Sequence, residues 1–154
     1  MAQSLRLVGG VGVMAAPSRS GVRPGARDTA PVDDRELARR TRANVMVVGR
    51  ERVVSDVVVS LWRYFRGPIL IRRDGERLRL SPTSEPVGTI ILHGVDTLTR
   101  QEQCALNHWL DADAGRTRVI STAPPSLLAL VESEQFDSQL YYRLNTLCLD
   151  LRPA

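Results

Sequence analysis

Five short apolar runs constrain this chain more than any other feature. They are Val45-Met46-Val47-Val48, Pro68-Ile69-Leu70-Ile71, Thr89-Ile90-Ile91-Leu92, Arg118-Val119-Ile120-Ser121 and Leu147-Cys148-Leu149. Continuous apolar stretches of this length mark strands covered on both faces, as in a parallel sheet. Between the first two, Val54, Val58, Leu61, Trp62 and Phe65 recur at helical spacing, with Ser55 or Asp56 as the expected cap and Gly67-Pro68 as the stop. Ahead of the fourth run, Thr99 and Glu102 stand at capping-box spacing before a stripe through Ala105, Leu106, Trp109 and Leu110, with Gly115 as the stop. Two short helices are expected before the fifth run, one from Ser126 and one over Phe136 to Leu144. Strands alternating with helices predict an α/β domain whose parallel sheet carries helices on both faces.

The second and third runs depart from that rhythm, because Asp74 to Val87 holds no helical pattern. Asp74-Gly75 is a hairpin signal, followed by Leu78 and Leu80 alternating with arginines. The spacing predicts an antiparallel strand at about residues 76–80, paired with the second strand, which must then lie at a sheet edge.

At 154 residues the chain is long enough for one compact core. No apolar run approaches the roughly 18 residues of a membrane-spanning helix. Two cysteines, Cys104 and Cys148, support neither a disulfide framework nor a four-cysteine zinc site, and both are expected to pack as small apolar residues. All 21 basic residues are arginine, so chemistry that needs a lysine amine is excluded. Arg6, Arg19, Arg23 and Arg27 precede the first acid, Asp28, and carry the whole net charge of +4. Residues 1–42 are therefore expected to form a flexible Arg-rich arm with a short helix near Arg35 to Arg42, and residues 43–154 the folded domain. Apart from a solvated tail, the arm admits three functional readings: a secretory signal, a transit peptide, or a non-specific contact to nucleic-acid phosphates.

Three segments carry a resemblance to a known family. Phe136-Asp-Ser-Gln-Leu-Tyr-Tyr-Arg-Leu-Asn145 resembles the pattern F-R-E-D-L-Y-Y-R-L-N that closes the AAA+ core of bacterial sigma-54-dependent transcription activators. Without gaps, Arg118-Val-Ile-Ser-Thr-Ala-Pro-Pro-Ser-Leu127 fits R-V-I-A-A-T-N-R-D-L, and Gly88-Thr-Ile-Ile-Leu-His-Gly-Val-Asp-Thr-Leu98 fits G-T-L-F-L-D-E-I-G-E-L. Asn44 to Gly49 with the helix after it sits where the family has strand, phosphate loop and helix. The resemblance spans about residues 43–153. It implies a three-layer P-loop-NTPase-like core of five parallel strands in the order 5-1-4-3-2, here with the antiparallel edge strand added.

The same resemblance locates what has changed. A phosphate loop needs glycines, a Lys reaching the phosphates and a Ser or Thr on Mg²⁺. Here the corresponding segment reads Gly49-Arg-Glu-Arg-Val-Val-Ser-Asp56, with Ser55 at the lysine position, Arg50 and Arg52 as the nearby cations, and Glu51 opposing phosphate. His93 and Gly94 stand where the family has the Asp that organises Mg²⁺ and the Glu that polarises water. Ala123 and Pro124 follow the fourth strand in place of Thr and Asn, and Asp137 replaces a trans-acting arginine, leaving Arg143. The sigma-contacting insertion is missing between strands two and three, and no helical lid or DNA-binding domain is expected within residues 43–154.

Phosphoryl transfer depends on positioning and charge, so the chain is expected to be a non-enzyme, with no catalytic residue and no metal ligand. The leading expectation is a non-catalytic sigma-54-activator-like module, related to transcription regulation, that associates with an AAA+ transcription activator or with itself. Tyr141, Tyr142 and Arg143 are its expected partner contacts. Gly49, Ser55, Asp56, His93 and Asp96 are the remnant of a nucleotide site. No cofactor is expected; the alternative is a sensor that binds ATP with Mg²⁺ without hydrolysis. A third reading is nucleic-acid binding through the arm and the basic hairpin of Arg72, Arg73, Arg77 and Arg79, which otherwise forms a solvated sheet edge. The resemblance implies a cytoplasmic, bacterial protein.

Overall fold

The computed structural model describes residues 33–82 and 84–153. Its elements in chain order are α1 (Asp34–Arg40), β1 (Val45–Val48), α2 (Glu51–Leu61), β2 (Ile69–Arg72), β3 (Thr89–Leu92), α3 (Arg100–Asp113), β4 (Arg118–Ala123), α4 (Leu127–Glu132), α5 (Ser138–Leu144) and β5 (Leu147–Asp150). A 3₁₀ turn extends α2 over Trp62–Tyr64, and another, Val95–Thr97, precedes α3.

The five strands form one sheet in the order β2-β3-β4-β1-β5, with every pairing parallel. This is the expected order, and β2 lies at the expected edge. Successive strand residues point to opposite faces, which divides the core in two. Met46, Ile90, Leu92 and Val119 face α3, α4 and α5, where Leu106, Phe136, Leu140 and Leu144 bury completely or nearly so. Val45, Val47, Ile91 and Ile120 face α1 and α2, closing on Ala38, Val54, Val58 and Leu61. Burying each of the larger side chains contributes roughly 1.5–3 kcal/mol, so the two apolar layers hold the helices in place.

The expected antiparallel strand at residues 76–80 is not formed. The chain turns at Asp74-Gly75 as expected, then crosses toward α3 instead of returning along β2. Glu102 Oε1 accepts the Leu78 N–H at 2.8 Å, and Trp109 Nε1 donates to the Ser81 carbonyl at 2.6 Å. Leu78 and Leu80 thereby pack on the α3 core, whereas pairing along β2 would have left them beside exposed Ile71. Apolar burial and two side-chain hydrogen bonds outweigh a short edge ladder.

Two helix starts show how local and global preferences compete. At α3 the capping box forms in full: Thr99 Oγ1 accepts from Glu102 N at 3.2 Å, and Glu102 Oε2 accepts from Thr99 N at 2.8 Å. α2, by contrast, begins at Glu51 with Arg50 at the N-cap and no side-chain cap, not at Ser55 or Asp56. The short helix foreseen near Arg35 to Arg42 is α1. Asp33 caps it, and its Ala38 is fully buried against the sheet, so it belongs to the folded unit. Residues 1–32, the rest of the arm, lie outside the described residues.

Candidate functional site

A cleft of about 150 Å³ opens beyond the carboxyl ends of β1, β3 and β4. α2 leaves β1 toward one face of the sheet and α3 follows β3 on the other, so the cleft lies where open α/β sheets place ligands. Gly49, Ser55, His93 and Asp96 of the sequence-expected set all line it. Asp56 does not: it sits on the exposed side of α2.

The segment expected to be a loop is almost entirely helix. β1 ends at Val48 and α2 starts at Glu51, so only Gly49 and Arg50 connect them. Ser55 stands one turn into α2, on the cleft wall. A Cβ on Gly49 would lie 3.1 Å from Leu151 Cβ and 3.3 Å from Val54 Cγ1, so a glycine here lets the chain after β5 close against α2. That role needs no phosphate.

Arg72 supports the turn that carries His93 and Gly94 from behind, without lining the cleft itself. Expected on a solvated edge, it is instead buried at the end of β2, where its Nη1 donates to the carbonyls of His93 (2.9 Å) and Gly94 (3.0 Å). Its Nε donates to the Glu76 carbonyl at 2.7 Å. Three carbonyls satisfy the guanidinium and fix the turn after β3. Thr122 Oγ1 accepts the Gly94 N–H at 3.0 Å, tying that turn to β4. Gly94 has left-handed backbone angles, φ 61 and ψ 59, which glycine adopts without a steric cost.

The lining is acidic. Glu51 from the first turn of α2, Asp74 from the turn after β2, and Asp96 surround His93. Burial pulls the His93 imidazole below its ordinary value, partly offset by nearby Asp74. Burial also raises the Asp96 carboxyl; its own backbone hydrogen bond opposes that shift, and Asp74 adds to it. Neither Arg50 nor Arg52 is among the lining residues. The cleft thus presents hydrogen-bond acceptors, a neutral imidazole and the hydroxyls of Ser55 and Thr122, where a phosphate site requires donors and cations. Among the described residues no group of three or more His, Cys, Asp or Glu is placed to hold a metal.

The expected partner contacts divide. Tyr141 is buried, packed edge-to-face on Tyr142 at 5.3 Å between ring centroids. Tyr142 is 61% exposed. Arg143 turns inward, donating from Nη1 to the Asn107 carbonyl (2.9 Å) and pairing through Nη2 with Asp111 (2.6 Å). Asp137 caps α5 by accepting the Leu140 N–H at 2.7 Å, a role an arginine cannot fill. Tyr141 and Tyr142 border a second groove, of about 230 Å³, with Pro124, Leu127 and the 50% exposed Leu128. Cys148 lines it as a buried thiol, pushed up to about 11 by burial and by Asp150. Cys104, expected in the core, is exposed on α3.

Sequence reasoning missed Asp74 as a cleft residue and Arg72 as the support behind it. Their position at the carboxyl end of β2 was the available signal, since residues there converge on the switch point.

A family model described as "Sigma-54 interaction domain" matches residues 66–153, more than half of the chain. Among solved structures, the chain is similar to NtrX from Brucella abortus (TM-score 0.57, 15% identity, covering 77% of this chain and 35% of that one). It is likewise similar to the P-loop NTPase domain of the Sigma-54 transport activator from E. coli (TM-score 0.52, 22% identity, covering 71% of this chain and 96% of that one). The chain thus spans about a third of the NtrX structure and most of the isolated P-loop domain. A search of curated protein sequences finds no significant match. No helix among the described residues is long and apolar enough to cross a membrane. With a family model matching more than half of its length, the chain belongs to the sigma-54 interaction domain family, and its parallel α/β sheet is of the P-loop NTPase kind.

Proposed function

We propose that this chain is a non-hydrolysing member of its family that acts by binding another AAA+ transcription activator chain. One observation carries the reading: α2 begins two residues after β1 and places Glu51, not a phosphate-binding backbone loop, at the mouth of the cleft. Small-molecule pockets measure about 300 Å³ or more, and this cleft is half that size and lined by the carboxylates of Glu51, Asp74 and Asp96, which would repel phosphates. NtrX from Brucella abortus has been solved with ATP and with ADP; at 15–16% identity that likeness extends to the fold alone.

With turnover lost, a preserved AAA+ core offers surfaces. The groove beside Leu128 and Tyr142 is open, apolar and positioned by rigid elements, which suits a protein contact. The chain would enter or cap an activator ring and lower its ATP turnover, since a subunit without a working site interrupts catalysis shared between neighbours. Mixing the purified chain with an active family member tests this by light scattering of the assembly and by the activator's ATPase rate. A changed assembly mass with reduced turnover is expected; both values unchanged rejects the proposal. Calorimetry with Mg²⁺ and ATP at millimolar concentration is expected to give no saturable heat. Saturable heat would favour the nucleotide-sensor reading instead.

A further inference from the structure

At the opposite end of the sheet, five arginines line one small pocket. Arg39, Arg40 and Arg42 come from α1 and the segment after it, Arg66 from the approach to β2, and Arg118 from the start of β4. The cavity measures about 120 Å³. That is room for a few water-sized groups at roughly 30 Å³ each, too little for a nucleoside and enough for a tetrahedral oxyanion.

The charges there are poorly compensated. Glu36 serves both Arg40, at 2.6 Å, and Arg39, at 3.5 Å. Among the described residues no carboxylate pairs with Arg42, Arg66 or Arg118. Arg118 is 7% exposed, and it spends its Nε and Nη2 donors on the carbonyls of Ala43 and Ala38, which leaves its charge unneutralised. Burial without a counter-charge draws that guanidinium below its ordinary value. Arg39 Nε and the Thr41 hydroxyl are buried with no hydrogen-bond partner. Orphaned donors and crowded like charges both cost stability, and a single dianion answers both.

We infer that this arginine pocket binds a phosphate group, held by the guanidinium groups of Arg40, Arg66 and Arg118 around the Thr41 hydroxyl. Guanidinium suits the task because its planar fork donates two parallel hydrogen bonds to a phosphate and its charge persists at every physiological pH. The site lies across the sheet from the acidic cleft and is independent of it. The phosphate could be free or carried as a small monoester, since Tyr64 at the rim leaves the pocket open to solvent.

Calorimetry and thermal melting of the full chain with inorganic phosphate, against chloride at matched ionic strength, test the inference. One saturable site and a rise in Tm specific to phosphate are expected. Arg66→Gln should weaken binding at least about tenfold, on the order expected for losing one charge-assisted contact. It should leave the phosphate-free Tm unchanged or slightly raised, because among the described residues the Arg66 side chain has no hydrogen bond or ion pair and its removal relieves like-charge crowding. Arg40→Gln provides a second variant on another element, with the same loss expected. Adenosine monophosphate distinguishes the sources: binding tighter than inorganic phosphate identifies an ester, weaker binding the free ion. Absence of saturable heat up to about 10 mM phosphate, near the limit of any specific site, overturns the inference. So does undiminished binding by both variants, which would move the ions to the Arg-rich residues 1–32, and so does binding of an oligonucleotide without binding of phosphate.

Discussion

A Cβ placed on Gly94 would lie 2.3 Å from Asp74 Oδ1 and 2.5 Å from its Cγ. The turn after β2 thus delivers a carboxylate onto the backbone where the family resemblance places a glutamate side chain. A side chain at position 94 would therefore compete with Asp74 for the same space.

Restoring a glutamate at this position should therefore fail to restore function. Gly94→Glu meets both the left-handed backbone and the Asp74 carboxylate, and is expected to cost about 1–2 kcal/mol in urea unfolding. Adding Asp74→Ala should recover the steric part and leave the backbone part. If the double variant is no more stable than the single one, Asp74 is not the obstacle.

Glu102 links the α3 cap to the segment that was expected to be a strand. Its two oxygens accept from Thr99 N and Leu78 N, each at 2.8 Å. Glu102→Ala is expected to cost about 2 kcal/mol, against about 1 kcal/mol for Thr99→Ala, which removes only the Thr99 half of the box. Amide hydrogen exchange supplies the sharper readout: Leu78 should lose protection in the first variant and keep it in the second.

The strands were legible because β3 and β4 are buried along their whole length, so apolar identity does not depend on face or register. The α3 cap was legible because its chemistry closes within four residues. Residues 76–80 were not, since leucine alternating with arginine fits either a strand or a strap, and distant Glu102 and Trp109 decide between them. α2 misled for the same reason: Ser55 and Asp56 are good caps locally, but burying Val54 in the sheet core requires the helix to start earlier. Gly49, Ser55, His93 and Asp96 line one cleft and Asp56 does not, while a charged residue ending an edge strand reads as solvated. Only the carbonyls of His93, Gly94 and Glu76 explain why Arg72 is inside.

His93 should make the fold acid-sensitive. Its folded pKa lies below the ordinary 6.5 because burial disfavours the cation. Below pH 6.5 the unfolded chain takes up a proton that the folded chain refuses, so stability is full above that pH and falls as pH drops toward the folded value. His93→Gln should flatten the Tm profile between pH 7.5 and 5. The Asp96 shift has the opposite sign, favouring the folded state as pH falls toward its ordinary 3.8; the His93→Gln comparison keeps Asp96 in place and so isolates the imidazole.

The two thiols should differ sharply in reactivity. Cys104 is exposed, while Cys148 is buried and titrates at about 11. Nucleophilicity belongs to the thiolate, so a maleimide at pH 7.5 is expected to modify one cysteine in the native chain and both in denaturant. Rapid native labelling of Cys148 would mean that the groove between α4 and α5 opens far more often than its packing implies.

Tyr142 and Arg143 are adjacent in sequence, yet they should affect different measurements. Arg143 spends its guanidinium inside the molecule, bridging α5 to Asn107 and Asp111 on α3, so Arg143→Ala is expected to cost about 1 kcal/mol of stability. It should leave association with an activator unchanged. Tyr142 and Leu128 project from the rim of the apolar groove, where they hold little of the core. Replacing each with serine should change monomer stability by less than about 0.5 kcal/mol, as surface substitutions do. In an interface, exposed aromatic anchors carry most of the binding energy, so Tyr142→Ser should weaken association at least about tenfold. The reverse pattern, with Arg143→Ala abolishing association and Tyr142→Ser having no effect, would place the contact on the α3–α5 seam. The groove would then be ordinary surface, and the docking face would have to be sought where Asp111 meets Arg143.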